Sequence, residues 1–224
     1  DSLRLFTAYP NLELVLVDNG STDETAQVLA RAVEGWKRLE VITNQDNRGF
    51  AAACNQAALR ATGEVLVFLN NDTVVSPGWL WVLSRSLADS SVGMVGPVTN
   101  AIGNEARVPV RYRSVREMER WAGDSTWRHD GQAFEVPMLA MFCAAVRREV
   151  WERVGELDEG FGLGMFEDDD LSRRLRRAGL RLQCRRDGFV HHWQQASFAL
   201  LDPNGYLELY ERNRAYYRRK WSRR

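Results

Sequence analysis

The sequence predicts an α/β fold, a Rossmann-like and mainly parallel sheet flanked by helices, on three observations. Short apolar runs alternate with stretches at helical spacing through the first 98 residues, each run ends in a polar cluster, and turn residues separate the units. The first run, 12-LELVLVD-18, is nearly continuous in apolar residues, as in a strand buried on both faces of a parallel sheet. A helix follows it: Ser21 or Thr22 can cap, Asp23 and Glu24 suit its positive end, and Val28, Leu29, Ala32, Val33 and Trp36 share a face. The unit then repeats, with strands at 39–43, 64–70 and 92–98 and helices at 50–61 and 77–89. Right-handed crossovers bring the carboxyl ends of such strands to one edge, where ligands bind; here the ends read VDNGSTD, TNQDNRG and LNNDTVV.

From 99 to 137 the pattern gives way to Gly103, Pro109, Gly123, Gly131 and Pro137 with scattered aromatics, which predicts loops and a short helix near 115–122. Residues 138–155 then read as an apolar strand turning into an amphipathic helix, followed by a glycine-rich loop at 156–166, an acidic helix start and a strand at 181–193. The end, 211-ERNRAYYRRKWSRR-224, is basic and aromatic. That charge suits a membrane surface, RNA or a phosphorylated ligand, whereas a solvated terminal helix with its aromatics docked on the core is the simpler reading.

Lysine plus arginine and aspartate plus glutamate both number 30, so the balance gives no ground for a nucleic-acid partner. Cys54, Cys143 and Cys184 lie far apart without CxxC spacing, which suggests neither a disulfide framework nor a zinc site and fits a reducing, cytoplasmic compartment. No run of about 18 apolar residues occurs, leaving the basic tail as the candidate for peripheral contact with the inner face of a membrane. The chain begins without Met on a helix-like run, and the expectation is a single domain from a longer chain.

Chemistry concentrates in four places. Asp18 stands where a buried strand opens into the crevice, although Asp18, Asn19 and Gly20 also make an ordinary turn. Asp72 falls on the same edge, and two acids there can seat a hard divalent cation beside a diphosphate; an Asx turn before Pro77 is an equal alternative. Arg48 and Gly49 precede an Ala-rich helix whose free N–H groups suit phosphate, though neither a Walker loop nor a strand-following GxGxxG occurs. His191 and His192 are adjacent on a strand and point to opposite faces, so one of them at most meets a metal. In 167-EDDDLSRRLRR-177 a helix starting near Asp169 would pair Asp169 with Arg173 and Asp170 with Arg174, leaving Glu167 and Asp168 ahead of it behind a loop of three glycines. Mutual repulsion raises a pKa in that pair while the helix dipole lowers one.

The ordered set VDNGSTDET, NRGFAAACN, LNNDTVV, FCAAVRREVWERVGELDEGF, FEDDDLSRRLRRAG and the terminal Asn213, Lys220 and Trp221 resembles the family 2 glycosyltransferases of GT-A fold, in their bacterial rhamnosyltransferase-like branch. The resemblance implies transfer of a sugar, hexosyl or rhamnosyl, from a UDP- or dTDP-sugar to a glycan, lipid-linked or protein acceptor, inverting and assisted by Mg²⁺ or Mn²⁺, in cell-wall or polysaccharide biosynthesis. It further implies Asp18, Asn19, Asn47, Arg48, Gly49, Asn55 and Asn71 at the donor, Asp72 and His191 at the metal, and Asp168 with Glu167 as the catalytic acids, Asp168 being the base. Residues 1–98 would form the nucleotide-sugar half and 99–224 the acceptor and catalytic-base half.

The pattern departs from the family twice. The D-x-D position reads Asn70-Asn71-Asp72, and the family's opening strand and polar turn precede the point where this chain begins. Without that strand the sheet is expected to carry an unpaired neighbour and the donor site to be incomplete. Two other classes compete: a non-catalytic nucleotide- or glycan-binding scaffold, which has no need of Glu167-Asp168, and a metal-dependent nucleotidyltransferase or diphosphatase, which would release inorganic phosphate or pyrophosphate.

Overall fold

The computed structural model describes residues 1–193 and 203–222. In chain order the elements are α1 (Ser2–Phe6), β1 (Leu14–Asn19), α2 (Thr25–Val33), β2 (Leu39–Asn44), α3 (Phe50–Arg60), β3 (Val65–Leu69), β4 (Thr73–Val75), α4 (Trp79–Ser86), β5 (Val92–Val98), α5 (Val115–Arg128), β6 (Ala133–Glu135), β7 (Cys143–Arg147), α6 (Arg148–Val154), α7 (Glu167–Arg177), β8 (Arg181–His192) and α8 (Pro203–Ser222). A 3₁₀ turn spans Glu159–Phe161.

β1 and β2 run parallel in a two-stranded sheet of their own, and the larger sheet has the order β3-β7-β5-β8-β4 with β6 added to β8. β5 and β8 are parallel and β7 is antiparallel to both β3 and β5, so β3, β5 and β8 point the same way. Alternation along these strands divides the core in two. Leu66, Phe68, Met94, Ala144, Val146 and Leu182 face α3, α5, α6 and α7, through Ala58, Met118, Trp151 and Leu171 among others. Cys143, Ala145, Val95 and Val190 face α4, where Trp79, Leu80 and Leu83 cover them, with Leu3 and Phe6 of α1 at the margin.

Four local expectations need correction. α2 starts at Thr25 after Glu24 and has no side-chain cap; the hydroxyls of Ser21 and Thr22 do not serve it, and Asp23 Oδ1 instead accepts from Thr25 N at 3.0 Å. The short helix near 115–122 runs on to Arg128. Ser114 accepts from Glu117 N, Glu117 accepts from Arg113 N, and Met118, Ala122 and Ser125 bury one face straight through Gly123. β4 pairs antiparallel with the end of β8, an extension read only as a strand end in the sequence. α7 begins at Glu167, not near Asp169; Phe166, in a left-handed conformation, stands at its N-cap position without a side-chain cap. The basic tail does form a terminal helix docked through buried Leu209, Asn213 and Trp221; its Arg223 and Arg224 lie outside the described residues.

Candidate active site

The edge where β1 and β2 end is built of amides. Asn19 spends every hydrogen-bonding position of its side chain: Nδ2 donates to Asn47 Oδ1 (2.9 Å) and Gly49 O (3.2 Å), while Oδ1 accepts from Asn44 Nδ2 (2.9 Å) and Arg48 N (3.1 Å). Asn47 Oδ1 also accepts from Gly49 N at 2.9 Å. Asn19 thus staples the 46–49 loop to the strand ends. Asp18 is buried at 5% exposure, accepts from Ser21 N at 3.0 Å and lines a groove of about 220 Å³ with Ala26, Leu29 and Val41. Arg48 is exposed, and its guanidinium has no ion-pair partner among the described residues. Asn55 is buried and points elsewhere: Nδ2 donates to Leu157 O (2.9 Å) and Glu159 Oε1 (3.0 Å), and Oδ1 accepts from Leu157 N (3.0 Å).

Asn71 is exposed at the turn between β3 and β4, next to Asp72. Of the two histidines it is His192 that faces Asp72, with Nε2 3.3 Å from Asp72 Oδ1. Its ring stacks on Phe142 at 5.0 Å, and its Nδ1 lies 3.2 Å from Ala101 O. A carbonyl can only accept, so Nδ1 carries a proton, and Nε2 is the ring atom that faces the carboxylate. Asn100 fixes the same residue's backbone by accepting from His192 N (2.8 Å) and donating to His192 O (3.0 Å). His191 points to the other face, where its Nδ1 is 2.5 Å from the Tyr112 hydroxyl. Burial first, and the neighbouring His192 second, hold the His191 pKa below the usual imidazole value.

A ring nitrogen and a carboxylate oxygen at that separation attract when either a proton or a cation lies between them. Donor atoms held about 2.0–2.2 Å from a divalent ion, at roughly right angles to one another, stand about 3 Å apart, so the Asp72 and His192 pair fits one edge of such a shell. No group of three or more His, Cys, Asp or Glu side chains gathers for a metal among the described residues. Two protein donors with the remaining positions left to a ligand is the arrangement open to this site.

The acidic cluster sits at the start of α7. Glu167 is 7% exposed, and its Oε2 lacks a hydrogen-bond partner among the described residues. Burial, and then the Asp168 charge, push its pKa up to about 8. Burial, and then Asp169, push Asp168 up to about 7, against a hydrogen bond that Asp168 Oδ1 accepts from Asp169 N at 2.9 Å. The question the sequence left between repulsion and helix dipole is therefore decided by desolvation, which favours the protonated form. Asp170, by contrast, is fully buried and accepts from Arg174 Nε at 2.9 Å, Lys220 Nζ at 2.7 Å and Trp221 Nε1 at 3.0 Å. The expected pairing of Asp169 with Arg173 gives way to Arg173 stacking 4.5 Å from the Trp221 ring.

The glycine loop before α7 meets the 46–49 loop directly. Phe50 N donates to Leu163 O at 3.3 Å, and a Cβ on Gly49, whose φ is 87°, would lie 2.0 Å from Gly162 O. Only glycine permits this approach. Asn55 adds a second join through Leu157 and Glu159, so the loop that carries the acids is tied to the loop at the strand ends. Asn100, Tyr112 and the Asn44–Gln56 pair escaped the sequence reading; Asn100, directly after an apolar strand and a threonine, carried the one available signal.

The glycosyl transferase family 2 model matches residues 1–155. The chain belongs to glycosyl transferase family 2. Among relatives of this family, O-antigen biosynthesis protein RfbC of Myxococcus xanthus is 34% identical over 210 residues, covering 88% of this chain and 16% of its own. The pre-mycofactocin glycosyltransferase of Mycobacterium tuberculosis is 27% identical over 190 residues, covering 84% and 39%. The chain therefore spans well under half the length of these relatives. Among solved structures, GalNAc-T7 with UDP, GalNAc and Mn²⁺ superposes with a TM-score of 0.67 at 19% identity, over 85% of this chain and 39% of that one. The mannosyltransferase PcManGT of Pyrobaculum calidifontis, with GDP-Man and Mn²⁺, gives 0.61 at 25% identity, over 85% and 51%. The fold is thus the GT-A fold of this family. No helix among the described residues is long and apolar enough to cross a membrane.

Proposed function

We propose that this family 2 domain is an inverting glycosyltransferase that moves a sugar from a nucleoside diphosphate sugar to an acceptor hydroxyl, with Asp168 as general base. The observation that supports the reading is the join between the 46–49 loop and the glycine loop, which ties the segment leading into buried Glu167 and partly buried Asp168 to the loop at the strand ends, the edge where ligands bind in α/β sheets. Residues 1–98 supply the donor contacts: Asp18 toward the base, the open Nδ2 of Asn47, the exposed Arg48 and Asn71 toward the diphosphate. Asn19 and Asn55 act through the loops they hold. Residues 99–224 supply the acids and the acceptor side. UDP- and dTDP-sugars are the donors to try first, and Mg²⁺ or Mn²⁺ would be held by Asp72 together with His192 in place of His191.

A carboxylate with a pKa near 7 is matched to its task, since it is ionised in a useful fraction of molecules yet basic enough to accept the hydroxyl proton as the oxygen attacks the anomeric carbon. Glu167, protonated at the same pH, keeps the pocket from accumulating a second negative charge. A bound divalent ion would neutralise charge developing on the departing diphosphate. Arg48, exposed at the strand-end loop, would contribute to that neutralisation. An acid on the face opposite the leaving group would make a single displacement sufficient, with inversion.

The test incubates the purified protein with UDP-, dTDP- and GDP-sugars and Mn²⁺ and an acceptor panel, following nucleotide release and sugar transfer together. Asp72→Ala and His192→Ala are expected to abolish Mn²⁺-dependent donor binding, with His191→Ala retaining it. Release of inorganic phosphate or pyrophosphate without transfer would support a diphosphatase or nucleotidyltransferase, and donor binding without turnover a scaffold.

A further inference from the structure

Asn213 lies in the middle of α8 with no exposed surface, far in sequence from the acids and the strand edge. Its Nδ2 donates to Phe161 O at 2.7 Å and Gly164 O at 2.7 Å and stands 3.3 Å from Met165 O. Its Oδ1 accepts from Arg212 Nε at 3.0 Å, and Arg212 Nη2 also donates to Phe161 O at 3.0 Å. Three backbone carbonyls, which can only accept, thus converge on one side-chain nitrogen. They belong to the loop between the 3₁₀ turn and α7, the segment that touches Gly49 and Phe50 on its other side.

That loop ends in two successive non-glycine residues with left-handed backbone, Met165 at φ 76° and Phe166 at φ 73°. Such a pair persists only where its surroundings hold it. Glu167 and Asp168 follow immediately as the first turn of α7, so any relaxation of the pair rotates both acids and opens their pocket to water.

We propose that Asn213 is a positioning residue for Asp168, holding the carbonyls of Phe161, Gly164 and Met165 so that the left-handed turn launches α7 with Glu167 buried and Asp168 partly buried. This rests on Asp168 being the base. Two features separate the role from general support of the fold. α8 is anchored to α7 and to the 3₁₀ turn independently, by Lys220 Nζ at 2.6 Å from Asp158 Oδ2 and by the bonds of Lys220 and Trp221 to Asp170, so losing Asn213 leaves the helix docked. The 46–49 loop keeps its bonds to Asn19 when Asn213 is lost, so donor affinity is expected to change little.

The experiment compares the full chain with Asn213→Ala and with Asn213→Ala carrying Met165→Gly, glycine being free of left-handed strain. The ¹³C titration of the Glu167 and Asp168 carboxyls is read in EDTA, and kcat and donor KM are read with whichever donor the parent uses. In Asn213→Ala the carboxyl titration moves toward ordinary acidic values, kcat falls about 10- to 100-fold and donor KM stays within about twofold. Met165→Gly restores part of both the titration and kcat. A titration midpoint and a kcat per folded molecule equal to the parent's would overturn the proposal, as would a loss of kcat with the titration unmoved. A parent that transfers no sugar, yet whose carboxyls shift in Asn213→Ala, would sink the proposed function and leave the positioning intact.

Discussion

At the scale of single residues, the acids of FEDDDL divide by what surrounds each one. Asp170 is saturated by three donors, whereas burial favours protons on Glu167 and Asp168 that an exposed carboxylate would release. Stability must then depend on pH in a fixed direction. The folded pKa values, about 8 and about 7, lie above the unfolded ones near 4, so the unfolded chain releases protons first and stability declines as pH rises from about 4 through about 8. Glu167→Gln keeps the shape and removes the titration. Its Tm advantage over the parent should grow by at least about 2–4 °C between pH 5 and pH 8, the shift that roughly 1 kcal/mol produces in a domain of this size. An advantage equal at both pH values would contradict the buried, protonated state. The residue types and their adjacency were legible in the sequence, but the share of burial was not, because desolvation comes from side chains remote in the chain. His192 shows the same limit: alternation put one histidine on each face, and only the pairing of β4 with β8 decides which face holds Asp72.

At the scale of elements, strands and their following helices were readable because each buries its own apolar face, as Leu171 and Leu175 do in α7. Boundaries failed where a tertiary contact sets them. The start of α7 is fixed by the left-handed Phe166 and the loop held by α8, and the length of α5 by Met118, Ala122 and Ser125 burying beneath a helix that Gly123 alone would interrupt. The lock between α7 and α8 carries a measurable share of stability. Asp170→Ala removes the buried acceptor shared by Arg174, Lys220 and Trp221, while Lys220 keeps Asp158 and Arg174 keeps three backbone carbonyls, a loss of about 1.5–3 kcal/mol. Arg173→Ala removes stacking on Trp221, worth about 0.5–1 kcal/mol at a partly exposed site. Urea midpoints rank the two, and equal losses would show that Asp170 does not organise the joint.

At the scale of the whole molecule, the α/β class, the polar strand edge and the ordered motifs were present in one dimension, since a parallel strand ends where its ligands bind. The antiparallel insertion of β7 between β3 and β5 was not, because Cys143–Arg147 is an apolar run of the same kind as its neighbours and nothing local states its direction. That insertion brings α6 and the loop after it under α3, where Asn55 receives Leu157, and so carries the acids to the 46–49 loop. On the proposed function, Asp168 is the point at which donor and acceptor halves would act together. The most direct measurement is calorimetric donor binding alongside transfer rate for Asp168→Asn in Mn²⁺. The account predicts donor affinity within about threefold of the parent and a transfer rate reduced at least about 100-fold; transfer at the parental rate would contradict it.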